Sequence, residues 1–281
     1  MAQPTTESVT VTGTKSRQAI HDFVQAFTVP TRVTGKLARW EDGACPTAKG
    51  IPAAFAGFIV QRVRTVAAAV GAPVGGASCR PNIEVVFTSQ PQAFMDDVRK
   101  KAPDVLGYYD NAEERLKAAT VTHPIQSWYV TQTVDVRGKV EVDSSHSGGL
   151  QITVSPRLPP IFIPHAHQAN VSGSRVGDGL HSSFYHVLIV ADPSKLGAYE
   201  IGPLADYIAM LSLAQLDSLD ICPGLPSIIS LLASGCAERT DALSANDTAY
   251  LKGLYKAASD LTLSYQQDAM AFEMEKIVQG K

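Results

Sequence analysis

Charged residues make up only 18% of the 281-residue chain and aromatics only 7%. With 45% hydrophobic residues beside them, that scarcity excludes a disordered acidic or basic chain. Neither sign of charge dominates: 24 Lys+Arg against 27 Asp+Glu leave a net charge of −3. No basic stripe occurs, which excludes nucleic-acid binding driven by counterion release. Long apolar runs are missing too. The longest, such as Ile51 to Val60 and Val187 to Ala191, fall well short of the roughly 20 residues that cross a bilayer. Residues 1–12 (MAQPTTESVTVT) lack the apolar stretch of a signal peptide. The chain contains no C-x-x-C, G-x-S-x-G, Walker loop, G-x-G-x-x-G or H-E-x-x-H. What remains is a globular chain long enough for one large or two small domains.

Four cysteines are present. They permit three pairings, of which the simplest is local: Cys45 with Cys79 and Cys222 with Cys236. Neither spacing makes a zinc knuckle. Closing the shorter loop would contribute about 3 kcal/mol through the unfolded state. Disulfides of this kind point to a periplasmic or secreted protein. Ala2-Gln3 and the Ser/Thr-rich stretch 5–14 then read as a flexible tail at a mature N-terminus, its signal peptide already removed.

Hydrophobic periodicity predicts helices over Lys15 to Phe27, Ile51 to Val70 and Pro91 to Val105. Asn82 to Thr88, Ile125 to Val134, Lys139 to Val142, Leu150 to Val154 and Ser183 to Ala191 read as strands. Residues 155–180, rich in proline and glycine, are expected to be mostly loop. After Pro203 the pattern becomes helical: Leu204 to Leu216, Leu225 to Leu232, Ala245 to Ala257 and Leu263 to Val278. The expected class is α+β, a single domain over 15–281 behind a tail at 1–14. Residues 15–200 would form an α/β lobe with a mixed sheet, and 201–281 a helical lobe.

Candidate chemistry is sparse. His165, His167, His181 and His186 lie within 22 positions and offer an alternative metal set, although no second-shell carboxylate is legible. His186, inside SFYHVLIVA, points to one face of its strand and could serve a hydrolase only beside a nucleophile. The same applies to the His165/His167 loop. Asp96-Asp97 and Glu113-Glu114 are adjacent pairs. Neighbouring side chains on a helix diverge by about 100°, so these read as solvated faces.

The segment Ile201 to Tyr255 resembles the metzincin layout of zincin-like metallopeptidases with its metal chemistry removed. A strand ending at Ala191-Asp192 leads into a helix with apolar positions Leu204, Ile208 and Leu211. Laid on H-E-x-x-H-x-x-G-x-x-H, the ligand positions fall at Ala205, Ala209 and Gln215, the general base at Asp206 and the glycine at Ser212. Pro226-Ser227-Ile228-Ile229 resembles the P-S-I-M of the Met-turn, with Ile229 in place of Met. Leu243-Ser244-Ala245-Asn246-Asp247 through Leu254-Tyr255 resembles the matrixin ending L-S-x-x-D-x-x-x-I-x-x-L-Y-G, with Lys256 replacing the glycine. The resemblance covers about 55 residues and implies a zincin-like fold. Two alanines cannot ligate zinc, and Asp206 would have no metal-bound water to deprotonate. It therefore implies a catalytically inactive pseudo-peptidase of the cell envelope, without metal or cofactor. Such a protein would bind a peptide, protein or envelope component in the old cleft, lined by Asp206, Tyr207, Gln215 and His186. A structural protein unrelated to zincins, or a hydrolase with a non-zincin site, are the other readings.

Overall fold

The computed structural model describes residues 6–143, 150–152, 161–163, 177–237 and 239–278. His165 and His167 lie outside the described residues. The class is α+β, with a mixed sheet and seven helices among the described residues.

Strand β1 (Ala38–Arg39) is two residues long, and β2 (Pro46–Lys49) precedes helix α2 (Ala53–Val70). Strand β3 (Ile83–Phe87) is followed by helices α3 (Pro91–Lys101) and α4 (Ala112–Ala118). Then come β4 (Ile125–Val134), β5 (Val140–Val142), β6 (Leu150–Ile152), β7 (Ile161–Ile163) and β8 (His181–Ala191). The main sheet runs β2-β3-β8-β4-β5, with β1 beside the first residues of β8. β2, β3 and β8 are mutually parallel, and β4 runs antiparallel between β8 and β5. A register shift interrupts the β4–β8 ladder: Val130 faces His186 and Thr131 faces Phe184, so Tyr185 bulges out, half exposed. β6 and β7 pair with each other.

Alternation along the central strands divides the interior in two. Ile83, Val85, Val187, Ile189 and Ile125 face the main core, which extends from Ile20 to Met274. That core is covered by α1 (Thr6–Phe27), α2, α5 (Ile201–Leu213), α6 (Ala245–Lys256) and α7 (Leu263–Val278). Leu188, Val190 and Trp128 face the other way, onto Met95 of α3 and Leu106. Both lobes expected from the sequence thus contribute to one core.

Several expectations need correction. The tail predicted over 1–14 is helical from Thr6, because α1 is anchored by Ile20, Phe23, Val24 and Phe27 and propagation from a formed helix adds one bond per residue. The helix predicted to Val105 stops at Lys101. Pro103 follows and opens a separate 3-10 turn, Pro103–Leu106. Leu225 to Leu232 is not a helix but a 3-10 turn, Ile228–Leu231, since Gly224 and Pro226 punctuate its start. α4 went unpredicted, although Asn111 caps it by accepting from Glu114 N–H. α5 starts at Ile201 and ends at Leu213, a few residues earlier than the periodicity placed it. Although the sequence shows no long apolar run, α2 is long and apolar enough to cross a bilayer by length and composition. In the fold its Ile59, Val63, Val66, Ala67 and Val70 are buried, while Arg62 and Arg64 interrupt it.

Both local cysteine pairs are disulfides, Cys45–Cys79 and Cys222–Cys236. The first ties the entry to β2 to the loop between α2 and β3. The second closes a loop around the 3-10 turn after α5.

Candidate functional site

A cleft of about 440 Å³ opens between the outer side of β4 and the segment 215–220 that leaves α5. Residues 29–33 and 106–109 close its ends. Its position follows from how β4 spends its hydrogen bonds. Val187 N–H donates to Asn82 O, so the backbone of Val187 turns to the β3 side. Alternation then turns Leu188 to β4, opposite Trp128. Asp192 N–H donates to Pro124 O, in the same register. Ser127 and Tyr129 therefore aim their N–H and C=O groups away from β8, into the cleft. β5 covers the edge of β4 only from Gln132 to Val134, and Asp143 N–H takes Thr131 O. Among the described residues no strand pairs with the outer edge at Ser127 and Tyr129. Gly107 lies against Tyr129 O, where a β-carbon would approach to 2.4 Å, so only glycine fits that end of the cleft.

The opposite wall is fixed by the end of α5. A helix leaves its last carbonyls without internal partners, and three aromatic side chains from β4, α6 and the residue after β1 satisfy them here. The Tyr129 hydroxyl lies 2.7 Å from Leu211 O and 2.9 Å from Ala214 O. Trp40 Nε1 donates to Ser212 O at 2.8 Å, and the Tyr255 hydroxyl to Leu213 O at 3.0 Å. Burial pushes the Tyr129 and Tyr255 phenols well above their ordinary value, which keeps both protonated as donors. Leu216 bridges to Thr28, and Asp217 N–H bonds Phe27 O, so the wall is seated on the end of α1. His123, just ahead of β4, spans the cleft mouth: its Nε2 lies 3.0 Å from Asp220.

The positions singled out in the sequence do not all meet here. Gln215 lines the cleft wall. Ala205 and Ala209 are wholly buried in the core, and Ser212 is buried with its hydroxyl bonded to Ile208 O at 2.7 Å. Asp206 does not line this cleft. It is 4% exposed, accepts from Arg62 Nε of α2 and from Leu243 N–H at 2.8 Å, and borders a second depression of about 380 Å³ beside Phe58 and Pro203. Asp206 thus fastens α5 to α2 and to the approach to α6. Tyr207 is 2% exposed and belongs to the core, not to an open surface. His186 is on the far face of the sheet, 4.0 Å from Glu84 with its Nδ1 unpartnered. Burial lowers its pKa, against the opposing pull of Glu84.

No known protein family, curated protein or solved structure matches this chain.

His181 pairs with Glu41 at 2.9 Å and His186 with Glu84, five residues apart on one strand. Five residues of strand span roughly 16 Å, too far for these two to share an ion. Among the described residues, no group of three or more His, Cys, Asp or Glu side chains could hold a metal. The turn at Pro226–Ile229 is held by Asp247. That buried carboxylate accepts from the Ser227 hydroxyl, from Ile228 N–H at 2.8 Å and from Ser244 N–H at 2.8 Å. Ser244 accepts from Asp247 N–H in return, completing a capping box at the start of α6. Burial raises the Asp247 pKa, and its hydrogen bonds oppose the rise.

Sequence reasoning missed Ser127, Tyr129, His123 and the 29–33 segment altogether. β4 was legible as a strand, but which of its edges stays open depends on pairings with distant segments.

Proposed function

We propose that this chain is a non-catalytic, zincin-like protein of the periplasm or cell exterior that binds an extended peptide segment along the outer edge of β4. The observation that carries this reading is the outward-facing backbone of Ser127 and Tyr129 along the cleft, beside which no strand is paired among the described residues. An exposed strand edge is a template for another strand: main-chain hydrogen bonds supply affinity, and pockets for alternate side chains supply selectivity. The zincin-like ancestry is supported by the order of elements: antiparallel β4, then β8, α5, a buried Ser227 turn and the capped α6. Absence of catalysis at α5 rests on Ala205 and Ala209, which offer no ligand atom, and on Asp206, committed to Arg62 and Leu243. The extracytoplasmic setting is supported by the two disulfides.

Ser127→Pro tests the reading. Its N–H points outward, so proline removes the donor offered to a guest strand without breaking the β8 ladder. Fluorescence anisotropy against a panel of labelled, capped pentapeptides should show binding to the native chain and at least tenfold weaker binding to the variant. Its circular dichroism should be unchanged. Equal affinities for both proteins would overturn strand addition at this edge.

A further inference from the structure

The wall opposite β4 is fastened unevenly along its length. Its first residues are held to the end of α1, through the bridge between Leu216 and Thr28 and through Asp217 N–H on Phe27 O. At the other end the Pro226 carbonyl accepts from the Ser244 hydroxyl at 2.7 Å and from Asn246 Nδ2 at 3.1 Å. Between these anchors, residues 218–225 make no backbone hydrogen bond to the rest of the chain among the described residues. Leu219 and Leu225, half-buried, pack against the core, and Asp220 meets His123. The covalent tie is Cys222–Cys236, near the middle of the span. Its far end is firm, because Cys236 follows the buried 3-10 turn Ile228–Leu231 and the buried Ala233. Ser218, Leu219 and Asp220 line the cleft, so whatever holds Cys222 also sets the shape of the wall.

The two disulfides differ in how a thiol reaches them. Cys222 is exposed and Cys236 half-buried, whereas Cys45 is 5% exposed and its N–H is held by Asn82 Oδ1 at 2.7 Å. Attack on Cys79 would expel the Cys45 thiolate into the core, and burial makes a thiolate a poor leaving group. Attack on Cys222 expels Cys236 at the surface instead. We infer that Cys222–Cys236 is a redox-sensitive fastening of the cleft wall: a dithiol reductant opens it selectively, releases residues 218–225 and weakens binding along β4. The effect on binding rests on strand addition at β4; the release of the wall does not. In the exchange, one thiolate of the reductant bonds to Cys222 Sγ, and the S–S bond breaks with its electron pair on Cys236. The second thiolate then attacks the reductant's own sulfur in this mixed disulfide, and that electron pair leaves on Cys222. The reductant ends as a disulfide, oxidised by two electrons, and its two protons pass to the cysteine thiolates. Most of the core lies outside this span, so the release is local.

The test uses the full chain. Under dithiothreitol without denaturant, followed by alkylation and mass mapping, Cys222 and Cys236 should become free at least about tenfold faster than Cys45 and Cys79. In that reduced, alkylated chain and in C222S/C236S, with circular dichroism unchanged, chymotrypsin should cleave after Leu219 at least about tenfold faster than in the oxidised chain. Both should bind the fluorescein-labelled, capped pentapeptide Thr-Val-Met-Val-Thr at least about fivefold more weakly by anisotropy, because the wall must be ordered again at each binding event. Equal reduction rates for the two cysteine pairs, or cleavage after Leu219 no faster once Cys222 is free, would overturn the inference. So would a reduced chain that is cleaved faster yet holds the peptide as tightly as the oxidised one, in which case strand addition stands without control from the wall. No binding even by the oxidised chain, with faster cleavage on reduction, would remove strand addition and keep the fastening.

Discussion

Replacing Tyr129 by phenylalanine removes a single oxygen atom from the interior and opens the end of α5. The Tyr129 hydroxyl has one proton to share between Leu211 O at 2.7 Å and Ala214 O at 2.9 Å, while it accepts from the Ser127 hydroxyl at 2.9 Å. Leu211 and Ala214 are each 1% exposed, so water does not replace the lost donor. A buried carbonyl left unpaired costs about 1–3 kcal/mol. Because one proton serves both acceptors, the loss should be about 2 kcal/mol rather than twice the single figure. For a chain of this size that corresponds to a melting temperature lower by roughly 6 °C. Urea titration followed through Trp40 and Trp128 fluorescence measures it directly, and the m-value should be unchanged because the folded surface is the same. Tyr255→Phe, which frees Leu213 O, should cost a similar amount. The two hydroxyls hold one helix end, so the double variant should depart from additivity by at least about 0.5 kcal/mol. A Tyr129→Phe loss below about 0.5 kcal/mol would refute the reasoning, since it would mean that the carbonyls at the end of α5 are already solvated.

Asp206→Ala should destabilise the fold by about 2–3 kcal/mol, because it strands Leu243 N–H and the half-buried Arg62. The estimate sits below the usual cost of breaking a buried pair because the Arg62 side chain is 38% exposed and partly screened. A change within about 0.5 kcal/mol in a thermal melt would place Asp206 on an open surface instead. His186 predicts a pH dependence. Burial holds its folded pKa below the ordinary 6.5, so as pH falls through that value the unfolded chain takes up a proton that the folded chain refuses. Stability should therefore decline from pH 7.5 towards pH 5, and His186→Gln should flatten that slope in melts recorded at half-unit intervals. An identical slope in the variant would locate the titrating group elsewhere.

What the sequence revealed was set by local signals. The apolar run of β8, the stripe of α2 and the Ser244 cap of α6 each carry their own pattern, and the structure keeps all three. The cysteine pairs were readable because each closes a short loop. Leu225 to Leu232 misled because its apolar spacing suits a helix, while Pro226 and the Ser227 side chain, which accepts from Ile229 N–H, build a tighter turn. β1 has no pattern at all; its two residues are strand only because β8 lies beside them. The cleft was the least legible part. Its walls come from four separated segments, each ordinary alone. The partner of Asp206 lies 144 positions away, a distance no motif reports.

The complete enclosure of Ala205 and Ala209 bears on the history of this helix. An imidazole at either site would have to displace packed neighbours, and overpacking costs about 1–3 kcal/mol before any ligand bond is made. A metal centre on α5 would therefore require repacking of the surrounding core as well as new ligands, since neither position has room for an imidazole as the helix now sits.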